Sequence, residues 1–525
     1  MISVLKKQLK QLESCGAHLL LKGTLHGIEK EGLRVDCSGK LSQKPHPKSL
    51  GSALTNSTIT TDFSESLLEL ITPVFKDPGS ALQFLKDLHG FTYSHLDDEL
   101  IWAGSMPCQI PDPALIPIAR YGSSNIGQLK YIYRLGLKHR YGKMMQSIAG
   151  IHYNFSLSDE FWQTFQENQE NSEDLQVFRS ASFFKMIRNF RRHSWLLLYL
   201  FGASPALCDS FLTGKPHNLE RLDDETLYLP YATSLRMSDL GYTTKVQSSL
   251  NICFNHLHTY IKSLTQAIQT PYPAYQEIGV KVDGKYHQLN DTILQIENEH
   301  YSDVRPKRVA KAGERPLQAL RKGGVEYIEI RNTDVNPFLP IGIDIQQALF
   351  FDMFLISCLL MDEREICPAE CKMVDSNMQK VITRGREPGL LLDTPGRKQT
   401  LLEVGKSLLD QMRITGELLD EVHETKAYTM SVSAQIRKLE DGSQTPSAQV
   451  LKALQESGLS YPQWVVLKSR DHKESIGQLS SNTKIFKDLA RRAADSIKEQ
   501  QQLEASDDRN FDQFLAEYLA FKINI

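Results

Sequence analysis

The sequence lacks any long hydrophobic run. Its most apolar stretches are WLLLYLFGASPALC at 195–208 and ALFFDMFLISCLLM at 348–361. Both are shorter than the roughly 20 residues that a membrane-spanning helix needs. The N-terminal segment MISVLKKQLKQLESCGAHLL lacks the continuous apolar core of a signal peptide and predicts a short amphipathic helix. We therefore expect no membrane association and interpret both apolar stretches as buried helices.

Cysteine and excess charge of either sign are also scarce. Eight cysteines are scattered over 525 residues, and the one close pair, Cys367 and Cys371, has no second pair to complete a zinc site. A balance of 60 basic and 63 acidic residues leaves a net charge of −3, which would not attract nucleic acid or anionic lipid. We expect a reduced, cytoplasmic protein that binds no nucleic acid. Nothing in the sequence requires a multimer, so we expect a monomer.

The common nucleotide-binding loops are missing as well. The sequence contains neither G-x-x-x-x-G-K-[ST] nor G-x-G-x-x-G, so any nucleotide site is not a P-loop and not a Rossmann-type turn. The overall composition, by contrast, is ordinary for a soluble globular protein, with 41% hydrophobic and 23% charged residues. The length is sufficient for one large domain or two to three smaller ones.

Composition changes near residue 365. Before this point, short alternating stretches are interleaved with helical patterns and frequent turn residues, whereas the later sequence is mainly charged and helical. We predict a catalytic sheet-and-helix domain over 1–365 and a mainly helical region over 366–525 that packs on it, or one continuous domain formed by both.

Apolar spacing predicts several individual helices. They lie near 80–103, 126–140 and 180–201. In TPSAQVLKALQESG, Thr445 is a candidate N-cap and Gly458 can end the helix.

Period-two alternation identifies the segments that carry chemistry, because successive side chains on a strand point to opposite faces. The segments LHGIEKEGLRVD, GIHYNFSL, ILQIENEHY and GVEYIEIRNTDVNP each pair an apolar face with a polar one. Their polar positions are Glu29 and Glu31; His152, Asn154 and Ser156; Gln295, Glu297, Glu299 and Tyr301; and Glu329 and Arg331. In ITTDFSESLLELITP, we predict a strand with Glu69 on its polar face, Asp62 at its approach and Glu65 as a solvated residue.

A single half-polar strand is most often the water-facing side of an antiparallel sheet. Here, however, acids and a histidine recur on several strands while lysine is scarce on the same faces. Carboxylates that are brought together repel one another unless cations neutralise them. We therefore interpret these faces as parts of one site for positively charged ligands.

Oxygen ligands with one histidine suit Mg²⁺ or Mn²⁺ better than zinc, and the set is large enough for more than one ion. Such clusters typically bind nucleotide phosphates. In VRPKR, the cations Arg305, Lys307 and Arg308 are candidate phosphate contacts or simply a solvated loop end. From these residues alone, an ATP-using ligase, a two-metal phosphohydrolase and a non-catalytic binding module remain open.

Several motifs resemble the proteobacterial-type glutamate–cysteine ligase family, in register over about residues 20–360. They include GIEKEGLRVDCSGK, TTDFSESLLELITP, RYGSSNIGQLKYIYRLGLKHRYG, MQSIAGIHYNFSL, YLPYATSLRMSDLGY, QIENEHYSDVRPKR and GGVEYIEIRNTDVNPF. The resemblance implies an α+β fold related to glutamine synthetase, with a curved, mainly antiparallel sheet that forms a funnel and with helices outside. It also implies ATP-dependent joining of the γ-carboxyl of L-glutamate to the amine of L-cysteine through γ-glutamyl phosphate, with glutathione as a possible feedback inhibitor.

The resemblance also implies roles for particular residues. The implied metal ligands are Glu29, Glu31, Asp62, Glu69, His152 and Glu329, nearly the set that the strand pattern selects. Arg236 and Arg331 match family arginines near the γ-phosphate and the glutamate, so we place them with Glu329 in the catalytic set. The implied substrate-binding residues are Phe63, Tyr133, Leu137, Gln146, Tyr242 and Tyr301, to which we add His152 and Asn154. Without the resemblance, core packing would be the simpler interpretation of the tyrosines.

The sequence departs from the family at one cysteine. In some members the cysteine of SMPC, here Cys108, pairs with a second cysteine soon after the IHYNFSL strand. That neighbourhood reads DEFWQTFQENQENSED here and contains no cysteine. We therefore expect no equivalent disulfide.

Overall fold

The computed structural model describes residues 2–240, 250–310 and 314–520. Its helices are Ile2–Ser14, Pro78–Tyr93, Asn125–Tyr141, Asp159–Asn168, Leu175–His193, Trp195–Phe201, Leu257–Gln269, Pro273–Ile278, Pro316–Gly323, Ile345–Leu360, Pro368–Arg384, Leu401–His423, Ala427–Glu440, Pro446–Ser457, Tyr461–Ile476, Lys484–Ser506 and Phe511–Leu519. Its strands are β1 (Leu25–Val35), β2 (Ile59–Thr61), β3 (Leu67–Ile71), β4 (Leu100–Ile101), β5 (Ile151–Ser156), β6 (Ala206–Cys208), β7 (Glu220–Arg221), β8 (Thr226–Tyr228), β9 (Lys281–Val282), β10 (Lys285–Tyr286), β11 (Val304–Lys307), β12 (Tyr327–Thr333), β13 (Leu391–Thr394) and β14 (Arg397–Thr400).

One antiparallel sheet organises the N-terminal part of the chain. Its strands lie in the order β11–β12–β5–β1–β3–β2, and β4 pairs with the end of β1. Three smaller antiparallel sheets are formed by β6–β8–β7, β9–β10 and β13–β14. The predicted α+β class with a mainly antiparallel sheet is confirmed.

Alternation on the sheet strands separates an apolar face from a polar one, as predicted. Ile28 of β1, Tyr153 of β5 and Ile328 of β12 are fully buried in the largest apolar cluster. Helices Leu175–His193 and Ile345–Leu360 contribute to the same cluster and cover this face. The opposite face of these strands carries the polar side chains, and its position is therefore set by burial of the apolar face.

The C-terminal part of the chain is helical, as expected, apart from the hairpin β13–β14. Leu408 and Met412 of helix Leu401–His423, with Val432 of Ala427–Glu440, lie in the same apolar cluster as Ile28. Core residues from before and after position 365 are therefore packed together. The division into 1–365 and 366–525 remains a prediction.

Local signals locate some helix ends well and others poorly. The Thr445 hydroxyl accepts the Ala448 N–H, and Gly458 ends helix Pro446–Ser457 in a left-handed conformation, as predicted. The helix predicted over 80–103 instead ends at Tyr93, because the chain turns through a positive φ at Asp97 and then enters β4.

The other helix predictions fare differently. The segment predicted near 180–201 is two helices, which Ser194 separates, whereas the helix predicted near 126–140 is confirmed as Asn125–Tyr141. Both apolar runs of the sequence are buried, and none of the helices in the described ranges has the length and hydrophobicity needed to cross a bilayer.

The predicted strand ILQIENEHY is wrong. Residues Glu297–Glu299 form a 3₁₀ helix. Glu297 pairs with Arg315, with an Oε2–Nη2 distance of 2.5 Å, and Glu299 pairs with Arg140 at 3.2 Å. These buried ion pairs draw the two acids towards separate arginines, and such tertiary contacts override a short alternating pattern.

Candidate active site

Strand register places the predicted polar residues in a row across the sheet. Glu31 on β1 lies opposite Glu69 on β3, and Glu29 on β1 lies opposite His152 on β5. On the next pair of strands, Glu329 of β12 lies opposite Asn154 of β5. Asp62 follows β2 directly, at the end of this row. Residues that are 300 positions apart in sequence thus lie side by side.

His152 lies at the centre of the acids. Its Nδ1 is 3.1 Å from Glu29 Oε2 and 4.0 Å from Glu329 Oε1, and its Nε2 is 3.9 Å from Glu31 Oε1. Glu29, His152 and Glu329 each offer a ligand atom, and these three atoms lie within 4.8 Å of one another. Two carboxylates and an imidazole at this spacing fit a divalent cation that accepts oxygen and nitrogen ligands.

Burial and mutual repulsion dominate the electrostatics of the cluster. Burial raises the pKa of Glu69 well above its usual range, and the charges of Glu29 and Asp62 raise it further. Burial also raises the pKa of Glu31, although His152 partly opposes the shift. A cation that binds between carboxylates in this state lowers the free energy of the cluster.

Cations surround the other end of the row. Lys307 Nζ lies 3.1 Å from Glu329 Oε1, and Arg331 Nη1 lies 2.9 Å from Glu329 Oε2. Burial alone would raise the pKa of Glu329, but Lys307 and Arg331 outweigh it and hold that pKa well below its usual range. Glu329 is therefore ionised near neutral pH.

Glu29 is held in a similar balance. Burial and the charge of Glu329 push its pKa upwards, but a hydrogen bond with His152 and the charge of Lys307 lower it overall. Asn154 donates to the second oxygen of Glu29 at 2.8 Å. Both carboxylates at the centre thus remain charged, which suits a role as cation ligands.

Arg236 reaches the site through a gap that glycine provides. Its guanidinium donates to the carbonyl of Arg331 at 3.0 Å and lies 3.8 Å from buried Asp334. A Cβ on Gly150 would lie 2.1 Å from Arg236 Nη2, so a larger residue would displace the guanidinium. The Gly150 N–H also donates to Glu31 Oε2 at 2.7 Å.

Gly150 and Asp334 are not among the predicted site residues. The neighbours of Asp334 are the Ala203 N–H and the hydroxyls of Ser204 and Ser234, which all donate to its carboxylate. The motif GGVEYIEIRNTDVNPF contains this aspartate, so the resemblance carried a signal for it. No local pattern identifies Gly150, because the need for glycine arises from a side chain more than 80 positions away.

An apolar cluster adjoins the acids and includes Phe63, the residue that follows Asp62. Phe63 and Leu137 are buried in one cluster, and the partly buried Tyr133 packs against it. The Tyr301 hydroxyl donates to Gln146 Oε1 at 3.3 Å. Burial raises the pKa values of Tyr133 and Tyr301, and the charge of Asp62 adds to both shifts. Both tyrosines are therefore neutral hydrogen-bonding groups. Tyr242 lies outside the described residues.

The three cations of VRPKR have different surroundings. Arg305 donates to the carbonyls of Asn298 and His300, and Arg308 donates to the carbonyls of Gly323 and Gly324. Lys307 alone of the three pairs with an acid of the row. Residues Val304–Lys307 of this segment form strand β11, and Arg308 follows the strand.

Glu65 is not the solvated residue that we expected. It is half-buried, and its carboxylate accepts the backbone N–H groups of His46 and Arg120 at 2.6 Å each. Unpaired backbone donors next to the site require an acceptor, and Glu65 satisfies two of them.

The fold and the site together are those of an enzyme in which Glu29, His152 and Glu329 could hold a metal ion. Residues 9–381 match the family model of glutamate-cysteine ligase, and the chain belongs to this family. The chain is 50% identical to a glutamate–cysteine ligase of Pseudomonas putida over 97% of this chain and 98% of the relative. It is 49% identical to a glutamate–cysteine ligase of Pseudomonas aeruginosa, over 99% and 98%.

Solved structures agree with the sequence comparisons. A crystal structure of glutamate–cysteine ligase from Francisella tularensis in complex with AMP is 38% identical, with a TM-score of 0.89, over 95% of this chain and 98% of that one. A bifunctional glutathione synthetase from Pasteurella multocida is 25% identical, with a TM-score of 0.69, over 90% of this chain and 55% of that one.

Proposed function

We propose that this protein catalyses the ATP-dependent ligation of the γ-carboxyl of L-glutamate to the amino group of L-cysteine. The products are γ-glutamylcysteine, ADP and phosphate. The observation that carries the proposal is the convergence of Glu29, His152 and Glu329 on one face of the sheet, in a member of the glutamate–cysteine ligase family. The AMP complex of the Francisella tularensis relative supports the use of a nucleotide.

The donor set suits Mg²⁺ or Mn²⁺. We assign the ligands as Glu29, Glu31, Asp62, Glu69, His152 and Glu329, which supply five carboxylates and one imidazole. When bound, divalent cations would neutralise the repulsion between the ATP phosphates and the substrate carboxylate. The raised pKa of Glu69 supports this assignment, because cations would relieve the repulsion that causes it.

The cationic side chains have a separate task. Arg331 lies against Glu329 and His152, and Arg236 lies against the backbone of Arg331, so both guanidinium groups face the same region. Guanidinium groups stabilise transferring phosphoryl oxygens and carboxylates because their planar fork matches these groups. We assign Arg331 and Arg236 to the phosphoryl group and the glutamate, and Lys307 to the phosphates of ATP.

We place the pocket for the acceptor at the apolar cluster of Phe63, Leu137 and Tyr133, next to Asp62. Tyr301 and Gln146 provide polar contacts there. We assign cysteine to this pocket, because a thiol-bearing side chain is small and only weakly polar. Its amine then lies beside the acids, where the carbonyl of γ-glutamyl phosphate would accept the attack.

The activity is tested by measuring ADP release with glutamate and cysteine, supplied separately and together with ATP and Mg²⁺. The ligase requires both amino acids for full turnover and forms γ-glutamylcysteine in equal amount to ADP. Rapid ADP release without an amine acceptor would instead indicate a phosphohydrolase. No ADP release under any condition would indicate a binding protein.

The remaining expectations concern the cellular setting. We expect the enzyme to act in the cytoplasm as a monomer, and to be inhibited by glutathione, which contains the γ-glutamylcysteine unit of the product. Size-exclusion chromatography with light scattering checks the mass of the particle. Loss of inhibition at high glutamate would show that glutathione competes for the same site.

A further inference from the structure

Lys130 lies on the same side of helix Asn125–Tyr141 as Tyr133 and Leu137, which we assign to the acceptor pocket. Lys130, Tyr133 and Leu137 are spaced by three and seven positions, which places them on one side of the helix. Lys130 is half-buried, and its ammonium lies 5.1 Å from the centre of the Tyr121 ring. No step of the proposed reaction so far uses this cation.

The ammonium of Lys130 has no hydrogen-bond acceptor and no ion-pair partner among residues 2–240, 250–310 and 314–520. Two other lysines near the sheet are engaged. Lys307 pairs with Glu329 at 3.1 Å, and Lys30 contacts His89 at 2.9 Å. Burial lowers the pKa of Lys130 to about 8, and the charge of Arg134 adds to this shift. A cation held in this way loses hydration and forms no direct ion pair in return.

The surroundings of Lys130 connect it to the acceptor pocket. The Tyr121 hydroxyl, beneath the ammonium, donates to the carbonyls of Thr61 and Asp62 at 2.8 and 2.9 Å. Arg134 donates to the same Asp62 carbonyl at 2.5 Å. These bonds fix the segment that carries Asp62 and Phe63 beside Lys130. Glu69 and Asp62 attract the ammonium electrostatically but make no ion pair with it.

We propose that Lys130 binds the α-carboxylate of the acceptor amino acid. The inference rests on the proposed ligase function, which assigns cysteine to the pocket of Phe63, Tyr133 and Leu137. Cysteine brings one carboxylate, and Lys130 is a cation beside Tyr133 and Leu137 that forms no ion pair within the described residues. The interaction would select amino acids over simple aminothiols and would hold the amine towards the acids of the sheet.

Two acceptors separate this role from a structural one. L-Cysteine and cysteamine carry the same thiol and amine, but cysteamine lacks the carboxylate. In Lys130→Met we expect kcat/KM for cysteine to fall by about 10- to 100-fold, since a hydrogen-bonded charge contact is lost. The kcat/KM for cysteamine as a substrate, or its inhibition constant as a competitor of cysteine, should change less than about threefold. KM values for glutamate and ATP should be unaltered.

Two further variants control the experiment. Lys130→Arg should recover part of the preference for cysteine, because it restores the positive charge. Lys86→Met, at an exposed lysine of helix Pro78–Tyr93, should leave both acceptors unchanged. The thermal unfolding midpoint of each variant shows whether it is folded.

Three results would overturn the proposal. Equal losses of kcat/KM with cysteine and cysteamine would indicate a structural role. A raised KM for glutamate alone would assign Lys130 to the other substrate. Unchanged kinetics would show that Lys130 is not part of the site. Failure of the ligase assignment itself looks different, because the unmodified protein would then release no ADP with glutamate and cysteine.

Discussion

Glu329 shows how much of the site depends on a single residue. It contacts Lys307, Arg331 and His152 from a fully buried position on β12. Its carboxylate therefore links the cationic end of the polar row to the predicted metal ligands. Its side chain contributes charge to the site and little to the apolar core.

The first prediction concerns this carboxylate. Glu329→Ala should lower ligation by more than about 100-fold, because it removes a proposed metal ligand and leaves two cations without their partner. The fold should remain, as judged by circular dichroism, because no core volume is lost. Glu474→Ala, at an exposed glutamate, is the control. Near-normal turnover by Glu329→Ala would refute the assignment.

Gly150 gives a second prediction at the same scale. A methyl group there would collide with the Arg236 guanidinium. Gly150→Ala should therefore lower kcat by about 10- to 100-fold, while the variant still folds. Gly90→Ala is a matched control, since its Cβ would meet Leu479 at an ordinary 3.4 Å. Full activity of Gly150→Ala would show that catalysis does not require Arg236 at its observed position.

At the scale of elements, one buried aspartate joins a helix to the back of the sheet. Asp352, on helix Ile345–Leu360, accepts hydrogen bonds from the Tyr153 hydroxyl at 2.9 Å and from His26 Nε2 at 3.0 Å. Tyr153 belongs to β5 and His26 to β1, the two strands at the centre of the polar row. The helix thus aligns the strands that carry His152 and Glu29.

A third prediction follows from this link. Asp352→Ala should lower the free energy of unfolding by about 3 kcal/mol or more, because it leaves buried polar groups without a partner. Urea denaturation measures the change. Thr445→Ala, which removes an N-cap far from the sheet, should cost only about 1 kcal/mol. Equal losses of unfolding free energy in the two variants would show that Asp352 does not join the helix to the sheet.

The elements also show what local sequence can predict. Alternation on β1, β5 and β12 located the strands and their polar faces, and capping residues located helix Pro446–Ser457. The same reasoning failed for Glu297 and Glu299, whose arginine partners are distant in sequence. A short alternating pattern cannot reveal such partners, so it predicts structure reliably only where the local signal and the tertiary contacts agree.

For the whole molecule, the carboxylate cluster couples stability to pH and to cations. Burial and neighbouring acids raise the folded-state pKa of Glu69 above its ordinary value of 4.5. The protonated form is thus favoured on folding. The stability that this proton provides is present below pH 4.5 and is lost as the pH rises through the folded pKa.

The fourth prediction compares Glu69→Gln with the unmodified protein in buffer treated with a chelator. The variant cannot ionise at this position, so its unfolding midpoint should exceed that of the unmodified protein by a few degrees at pH 8. The difference should vanish near pH 4. Added Mg²⁺ or Mn²⁺ should stabilise the unmodified protein more than the variant. A pH-independent difference would contradict the raised pKa of the half-buried Glu69 carboxyl.

The amino-acid sequence by itself determined the balance of charge, the apolar and polar faces of most sheet strands and the kinds of side chain available for cations. Those properties depend on residue type and on spacing of a few positions, which short-range physics converts directly into local structure. Only the tertiary structure decided that the acids of β1, β3 and β12 lie in one row with His152 of β5, that Gly150 leaves room for Arg236, and that Glu65 binds backbone amides. These outcomes depend on strand register and on contacts between distant parts of the chain, which no local pattern specifies.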